Sequence, residues 1–287
     1  MRKKLMLLGL LVLVISCEDV IEVDVPTEEP RLIIDALIRI DVNQELSQPT
    51  IKVSLTGSFF GTTPVTGLTD ITITNLDFDN AGGGNAIILE EVEPNSGIYR
   101  DPDPVGTDFL TDGRLILQLT HEDRIYFART EFVPTVPIDN LEQGDETLFD
   151  DEDTELKVTI TDDAQSDDFY ILDFQSGEFL ALEDEFFNGQ TFEFSYFLER
   201  DLVAGEELTV SILGADQTFF NYVDLLVEQT QDDGGVFETP VATARGNIFD
   251  VTDLDNTEVF DNVNQPDVFP LGYFAVVQEY QSTIIIE

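Results

Sequence analysis

From Arg31 onward the chain is dominated by period-two alternation of apolar and polar residues. In Ile51-Lys52-Val53-Ser54-Leu55 the two kinds alternate strictly, as a strand with one face on a core and the other in water requires. Similar patterns rich in β-branched and aromatic residues predict strands at Leu32–Ile40, Thr50–Leu55, Asp70–Asn75, Ile87–Glu91, Arg114–Thr120 and Arg124–Phe132. Turn chemistry separates them: Ala81-Gly82-Gly83-Gly84-Asn85, Pro94-Asn95-Ser96-Gly97 and Asp112-Gly113. No helix-period segment interrupts the series, so residues 31–134 are expected to form a β-sandwich.

The two prolines of Val133-Pro134-Thr135-Val136-Pro137 disfavour a continuing central strand and mark a boundary. An acidic stretch from Asp145 to Glu155 follows. Residues 135–287 then form a second β-rich region, with strands predicted at Leu156–Thr161, Phe169–Phe174, Glu178–Leu182, Thr191–Phe197 and Glu207–Leu213. Asn188-Gly189, ahead of the alternating Thr191-Phe192-Glu193-Phe194-Ser195-Tyr196, is the sharpest hairpin signal. One helix is predicted near 217–230. Asp216 can cap it, and Phe219, Tyr222, Val223 and Leu226 fall on one apolar stripe while Asp224 and Glu228 lie off it. It should end before Asp232-Asp233-Gly234-Gly235 and cover an open face or edge of the second sheet. Leu271–Val277 and Ser282–Ile286 read as final strands. The expected class is all-β, a sandwich followed by a second β-rich domain with one covering helix.

The N-terminus has a different pattern. Arg2, Lys3 and Lys4 precede an apolar run from Leu5 to Ile15, far short of the roughly 20 residues of a membrane-spanning helix, so residues 1–16 read as an export signal. Val14-Ile15-Ser16-Cys17 resembles the lipobox of bacterial lipoprotein signals, with cleavage between Ser16 and Cys17 and lipidation of Cys17. Cys17 is the only cysteine in the chain. Several acyl chains on it would anchor the protein stably to a membrane without spanning it. Residues 17–30 form an acidic tether, and Glu18 and Asp19 loosely resemble the signal that sends Bacteroidota lipoproteins to the cell surface. The expected location is therefore the outer membrane, lipid-anchored and facing outward.

Charge narrows the partners. Thirteen basic residues face 59 acidic ones, a net charge of −46. Removing the three basic residues of the signal leaves ten against 59, or −49. Such a field repels nucleic acid, which is excluded as a partner, and favours cations and basic surfaces. With 42% hydrophobic residues and 22 phenylalanines the chain has ample material for a folded core.

Catalytic signals are sparse. His121 is the only histidine, which excludes His-based zinc motifs. No Gly-x-Ser-x-Gly elbow accompanies it, and Thr120-His121-Glu122-Asp123-Arg124 reads as a hairpin turn. Gly82–Gly84 lacks the lysine and helix of a phosphate loop. Among so many acids no glycosidase-like carboxylate pair can be singled out, and tryptophan, a common sugar platform, is absent. No cofactor is expected, and a structural calcium is the most defensible ligand. Asp77 and Asp79 before Gly82 resemble the start of an EF-hand loop, although Ala81 and Ile88 stand at the fifth and twelfth positions, where ligands belong, so a true EF-hand is rejected. Asp150-Asp151-Glu152-Asp153 and Asp253-x-Asp255 are comparable acidic loops.

The order of several segments carries a family resemblance. These are CEDVIEVDVP after the lipobox, RLIIDALI, TIKVSLTGSFF, VPTVPIDNL, FFNGQTFEF, TFFNYVDLLVEQ, GNIF and PLGYF. Together they resemble the Bacteroidota outer-membrane lipoproteins that carry domain of unknown function 4249, across essentially the whole mature chain. The resemblance implies an immunoglobulin- or transthyretin-like N-terminal half. It also implies a non-enzymatic accessory or ligand-binding role beside a TonB-dependent receptor, and it supplies no catalytic residues. The alternative is an adhesion or envelope-structure module with calcium-dependent contacts, followed by a carboxylate-based hydrolase. Ligand, partner and binding residues stay open.

Overall fold

The computed structural model describes residues 30–57, 64–78, 84–147, 154–198, 200, 202–231, 244–252 and 269–287. The signal segment, Ser16, Cys17, all of the tether but Pro30, Asp79 and the acidic runs at 150–153 and 253–255 lie outside them. The protein is all-β. The first part contains β1 (Leu32–Ile40), β2 (Leu46–Ser47), β3 (Thr50–Leu55), β4 (Asp70–Asn75), β5 (Ala86–Ile88), β6 (Glu90–Glu91), β7 (Ile98–Arg100), β8 (Val105–Gly106), helix α1 (Thr107–Thr111), β9 (Arg114–His121) and β10 (Arg124–Val133). The second contains β11 (Ile138–Gln143), β12 (Thr154–Thr161), β13 (Phe169–Asp173), β14 (Phe179–Glu183), β15 (Thr191–Leu198), β16 (Glu207–Ala215), helix α2 (Gln217–Gln231), β17 (Ile248–Asp250) and β18 (Leu271–Ile285).

Two sandwiches result. In the first, one hydrogen-bonded path, β5-β4-β9-β10-β18-β1-β3-β7-β6, folds over between β10 and β18 so that its two halves share one core as opposed sheets. The alternating β1 residues Leu32, Ile34, Ala36, Ile38 and Ile40 pack against Ile71, Ile73, Leu115, Leu117 and Leu119 from the opposite sheet. In the second, β11-β12-β15 faces β14-β13-β16 and the second half of β18. Leu156, Val158 and Ile160 there meet Tyr170, Leu172, Leu208, Val210 and Ile212.

The two sandwiches share β18. Its first half runs parallel to β1, from Ile33↔Leu271 to Ile40↔Gln278, and also pairs with the end of β10. Its second half runs antiparallel to β16, from Leu213↔Glu279 to Glu207↔Ile285. The two final strands expected at Leu271–Val277 and Ser282–Ile286 form one unbroken strand. Its polar side chains are satisfied at the seam: buried Gln278 accepts from the Thr135 N–H at 3.0 Å, and Glu279 pairs with Arg39 at 3.1 Å. Gly272 sits where β18 crosses close to β1. Its φ is +103°, and a Cβ there would lie 1.9 Å from the Ile34 carbonyl oxygen, so only glycine fits.

Two other local expectations differ from the structure. Asn188-Gly189 makes a turn, closed by the Gln190 N–H on the Phe187 carbonyl at 2.8 Å, but not a hairpin. β14, before it, pairs with β13, while β15, after it, pairs with β12, so the turn carries the chain between sheets. Burial of the Phe192 and Phe194 face against the second core outweighs local pairing. The five-residue α1 interrupts the first sandwich, too short to leave a periodic signal. Asn75 holds it, donating to the Phe109 and Asp112 carbonyls.

Helix α2 begins as its sequence dictates, with Asp216 Oδ1 accepting from the Phe219 N–H at 2.7 Å. It covers the outer face of β13, β14 and β16. Strands buried on both faces lie beneath it: Tyr170 and Leu172 point into the second sandwich, and Ile171 points at the helix. No helix among the described residues is long and apolar enough to cross a membrane.

Candidate functional site

The helix does not seal onto the sheet. A cavity of about 430 Å³ remains beneath α2, within the size range of small-molecule sites. Its floor crosses the seam between sandwiches: Ile33, Ile34 and Leu37 from β1, Ile171 from β13, Leu213 from β16, and Leu271 and Tyr273 from β18. Phe219, Tyr222, Val223, Leu226, Val227 and Thr230 form the helical wall. These are the stripe residues of the sequence and their i+4 neighbours, so the face that docks the helix also lines the space.

The cavity is nearly uncharged. Among the described residues that line it, Asp35 is the one carboxylate, it is exposed, and there is no lysine, arginine or histidine. Two phenols are set in it. Tyr273 is 7% exposed, and its ring lies 5.0 Å from those of both Phe219 and Tyr222. Neither the Tyr273 nor the Tyr222 hydroxyl is among the buried polar atoms without a partner, which among the described residues are Thr135 Oγ1 and Arg200 Nε. Burial raises the Tyr273 pKa above the ordinary phenol value, helped by the nearby Asp216 charge and by Tyr222. Burial also raises that of Tyr222, with Asp35 adding to it. Both stay protonated donors at neutral pH.

At one end the cavity meets a polar recess of about 320 Å³, lined by Ser176, Glu178, Tyr196 and Arg200 and sharing Gly177, Phe179, Val227 and Thr230 with it. Arg200 is the cation there. Its guanidinium lies 3.6 Å from Glu178 and 3.3 Å from Glu206, so its charge is already countered.

The residues singled out in the sequence lie elsewhere. Asp77, expected as a calcium ligand, gives both oxygens to Arg114: Nε to Oδ2 at 2.8 Å and Nη2 to Oδ1 at 2.7 Å. Arg114 holds that carboxyl well below the usual carboxylate range, while its partner in the proposed loop, Asp79, is outside the described residues. His121 occupies the expected β9–β10 turn, where Arg124 pairs with it across the strands and Nε2 meets Thr66 Oγ1 at 2.8 Å.

An acidic group that sequence reading missed is formed by Asp162, Asp168 and Asp184, whose nearest oxygens all lie within 4.8 Å of one another. Oxygen-only ligation of this kind suits a hard cation such as calcium. The group is also tied internally: Tyr170 and the Gly189 N–H donate to Asp162, Asn188 donates to Asp184, and Ser166 donates to Asp168. Burial and the charges of Asp162 and Asp184 push Asp168 upward against its Ser166 hydrogen bond. The three residues come from separate segments, so no spacing in the sequence announces them.

None of the curated proteins compared with the chain matches it. The family described as Domain of unknown function (DUF4249) matches residues 18–282, nearly the whole chain and all of the cavity wall, and the chain belongs to that family.

Proposed function

We propose that the protein is a binding module that captures an apolar small molecule beneath α2, and that it works as a lipid-anchored outer-membrane accessory of a TonB-dependent receptor. The apolar cavity at the seam carries this reading. A continuous wall of Ile, Leu, Val, Phe and Tyr supplies hydrophobic transfer energy to a ligand, whereas general acid–base work needs a paired acid and base. Among the described residues the wall offers one exposed carboxylate, Asp35, and no side-chain base. A site lined by residues of both sandwiches also suits a carrier, because a small movement between them would open it.

The anchoring and partnership rest on the lipobox at Val14–Cys17, the acidic residues after it and membership of the family. An environment-sensitive apolar dye tests the cavity. It should brighten on the full chain, and Leu226→Trp, which sets a bulky ring at an exposed position of the cavity wall, should abolish the signal. A bright dye on both proteins would place the dye elsewhere. Affinity purification from gently solubilised outer membranes tests the partnership, and recovery without any TonB-dependent receptor would count against it.

A further inference from the structure

We infer that the ligand is an amphiphile: its apolar tail lies beneath α2, and its uncharged, hydroxyl-bearing head group, of the kind an alkyl glycoside carries, sits in the adjoining recess against Arg200 and Glu178. This rests on the cavity reading above and names the ligand class.

The two spaces adjoin and differ in character. Gly177, Phe179, Val227 and Thr230 line both the cavity and the recess, so one molecule can occupy the two together. A Cβ on Gly177 would meet nothing within 4 Å, which leaves the junction open on the β13–β14 side. The turn there runs through three successive left-handed residues, Gln175, Ser176 and Gly177, with φ of +70°, +55° and +90°, and it sets Ser176 on the recess. Apolar side chains dominate the cavity, whereas the recess adds a hydroxyl, a carboxylate, a phenol and a guanidinium, as a tail and a head require.

Arg200 supplies the positive part of the argument. Its Nη1 donates to Glu206 at 3.3 Å, but its Nε is buried without a hydrogen-bond partner. The 3.6 Å contact of Nε with Glu178 is an ion pair too long for a hydrogen bond, so the guanidinium can turn toward a ligand oxygen without breaking a bond at that nitrogen. The described lining of the recess holds one positive and one negative group, Arg200 and Glu178. A carboxylate head would meet Glu178 and an ammonium head would meet Arg200, each beside a like charge. A hydroxyl suits both, because it accepts from the guanidinium and donates to the carboxylate. Thr230 Oγ1, whose proton goes to the Val227 carbonyl at 2.9 Å, still accepts. Tyr196, its ring stacked on Phe174 at 3.9 Å, is fixed in place on the same lining.

A matched series of ten-carbon probes tests this on the purified full chain: decyl glucoside, decane, decanoate and decylammonium, with glucose as the head group alone. Each is set to displace the apolar dye at neutral pH, the surfactants below their micelle-forming concentrations. Decyl glucoside should bind roughly tenfold more tightly than decane, the discrimination expected of one hydrogen bond to a charged group. It should also bind more tightly than decanoate or decylammonium, and glucose alone should leave the dye in place. Arg200→Gln and, more gently, Ser176→Ala should cut the advantage of the glucoside over decane while leaving decane binding unchanged. Tightest binding by either charged probe, displacement by glucose alone, equal binding of glucoside and decane, or an undiminished preference in both variants would overturn the ligand class while leaving the cavity intact. Failure of every probe to displace the dye would overturn the cavity reading itself.

Discussion

Arg39 of β1 bonds Asp173 of β13, Nη2 to Oδ2 at 2.6 Å, and turns its other nitrogen to Glu279 of β18 at 3.1 Å. One guanidinium thus ties a strand of the first sandwich to two strands of the second. Burial opposes its charge, but the hydrogen bonds and charges of Asp173 and Glu279 outweigh it and raise its pKa. Arg39→Met would leave two largely buried carboxylates without their donor. The expected loss is about 2 kcal/mol at neutral pH, read by urea denaturation. Arg39→Lys, which keeps the charge but not the planar fork, should recover part of it. A lysine variant as unstable as the methionine one would mean that the charge itself does not set the effect.

Capping of α2 is separable from its packing. Asp216 is exposed and contributes through its bond to the Phe219 N–H, so Asp216→Ala should lower stability by about 1 kcal/mol. Because α2 forms one cavity wall, fraying of its first turn around Phe219 and Tyr222 should also weaken dye binding. Asp216→Asn, which keeps an accepting oxygen, should restore most of both.

Alkaline stability depends on the second core. Burial raises the Tyr170 pKa, and its hydrogen bond to Asp162 raises it further. The folded value lies above the unfolded value of about 10, so this stabilisation is complete below pH 10 and is lost as pH rises through the folded value. Tyr170→Phe should cost about 1–2 kcal/mol at neutral pH by leaving Asp162 short of a donor. The gap between the variant and the parent should close in strongly alkaline solution. Thermal melts across that range check it.

Asp168 behaves in the opposite sense. Its raised pKa marks a carboxylate destabilised by burial and by Asp162 and Asp184. A group of this sign costs stability above its folded pKa, and the cost disappears as pH falls. Asp168→Asn should therefore melt slightly higher than the parent at pH 7 in the presence of a chelator. The difference should vanish near pH 3, where the native carboxyl is itself neutral.

The sequence revealed strands more readily than the way they are joined. Alternation in Ile51–Leu55 or Asp70–Asn75 reports one wet and one dry face, and those strands stand within a residue of where the pattern put them. Short pieces such as β2, β6 and β8 exist through partners distant in the chain and carry no period of their own. The stripe of α2 was legible as a docking face, yet nothing in Phe219, Tyr222, Val223 and Leu226 says that the fit leaves a space. Cavities depend on how side chains from several elements fail to meet, and that is a property of the assembled fold. Tyr273 illustrates this: in Leu271-Gly272-Tyr273-Phe274 it reads as one more core aromatic, and only the assembled fold puts it on the cavity wall.

The position of β18 also dictates the order of assembly. The central strand of the first sandwich comes from residues near the C-terminal end of the sequence, so β1 and β10 lack a shared neighbour until that segment has emerged and threaded between them. The chain would stay unfinished until that strand is available and then lock both halves in one late step. Deleting residues from Leu271 onward should therefore unravel the N-terminal sandwich as thoroughly as the C-terminal one.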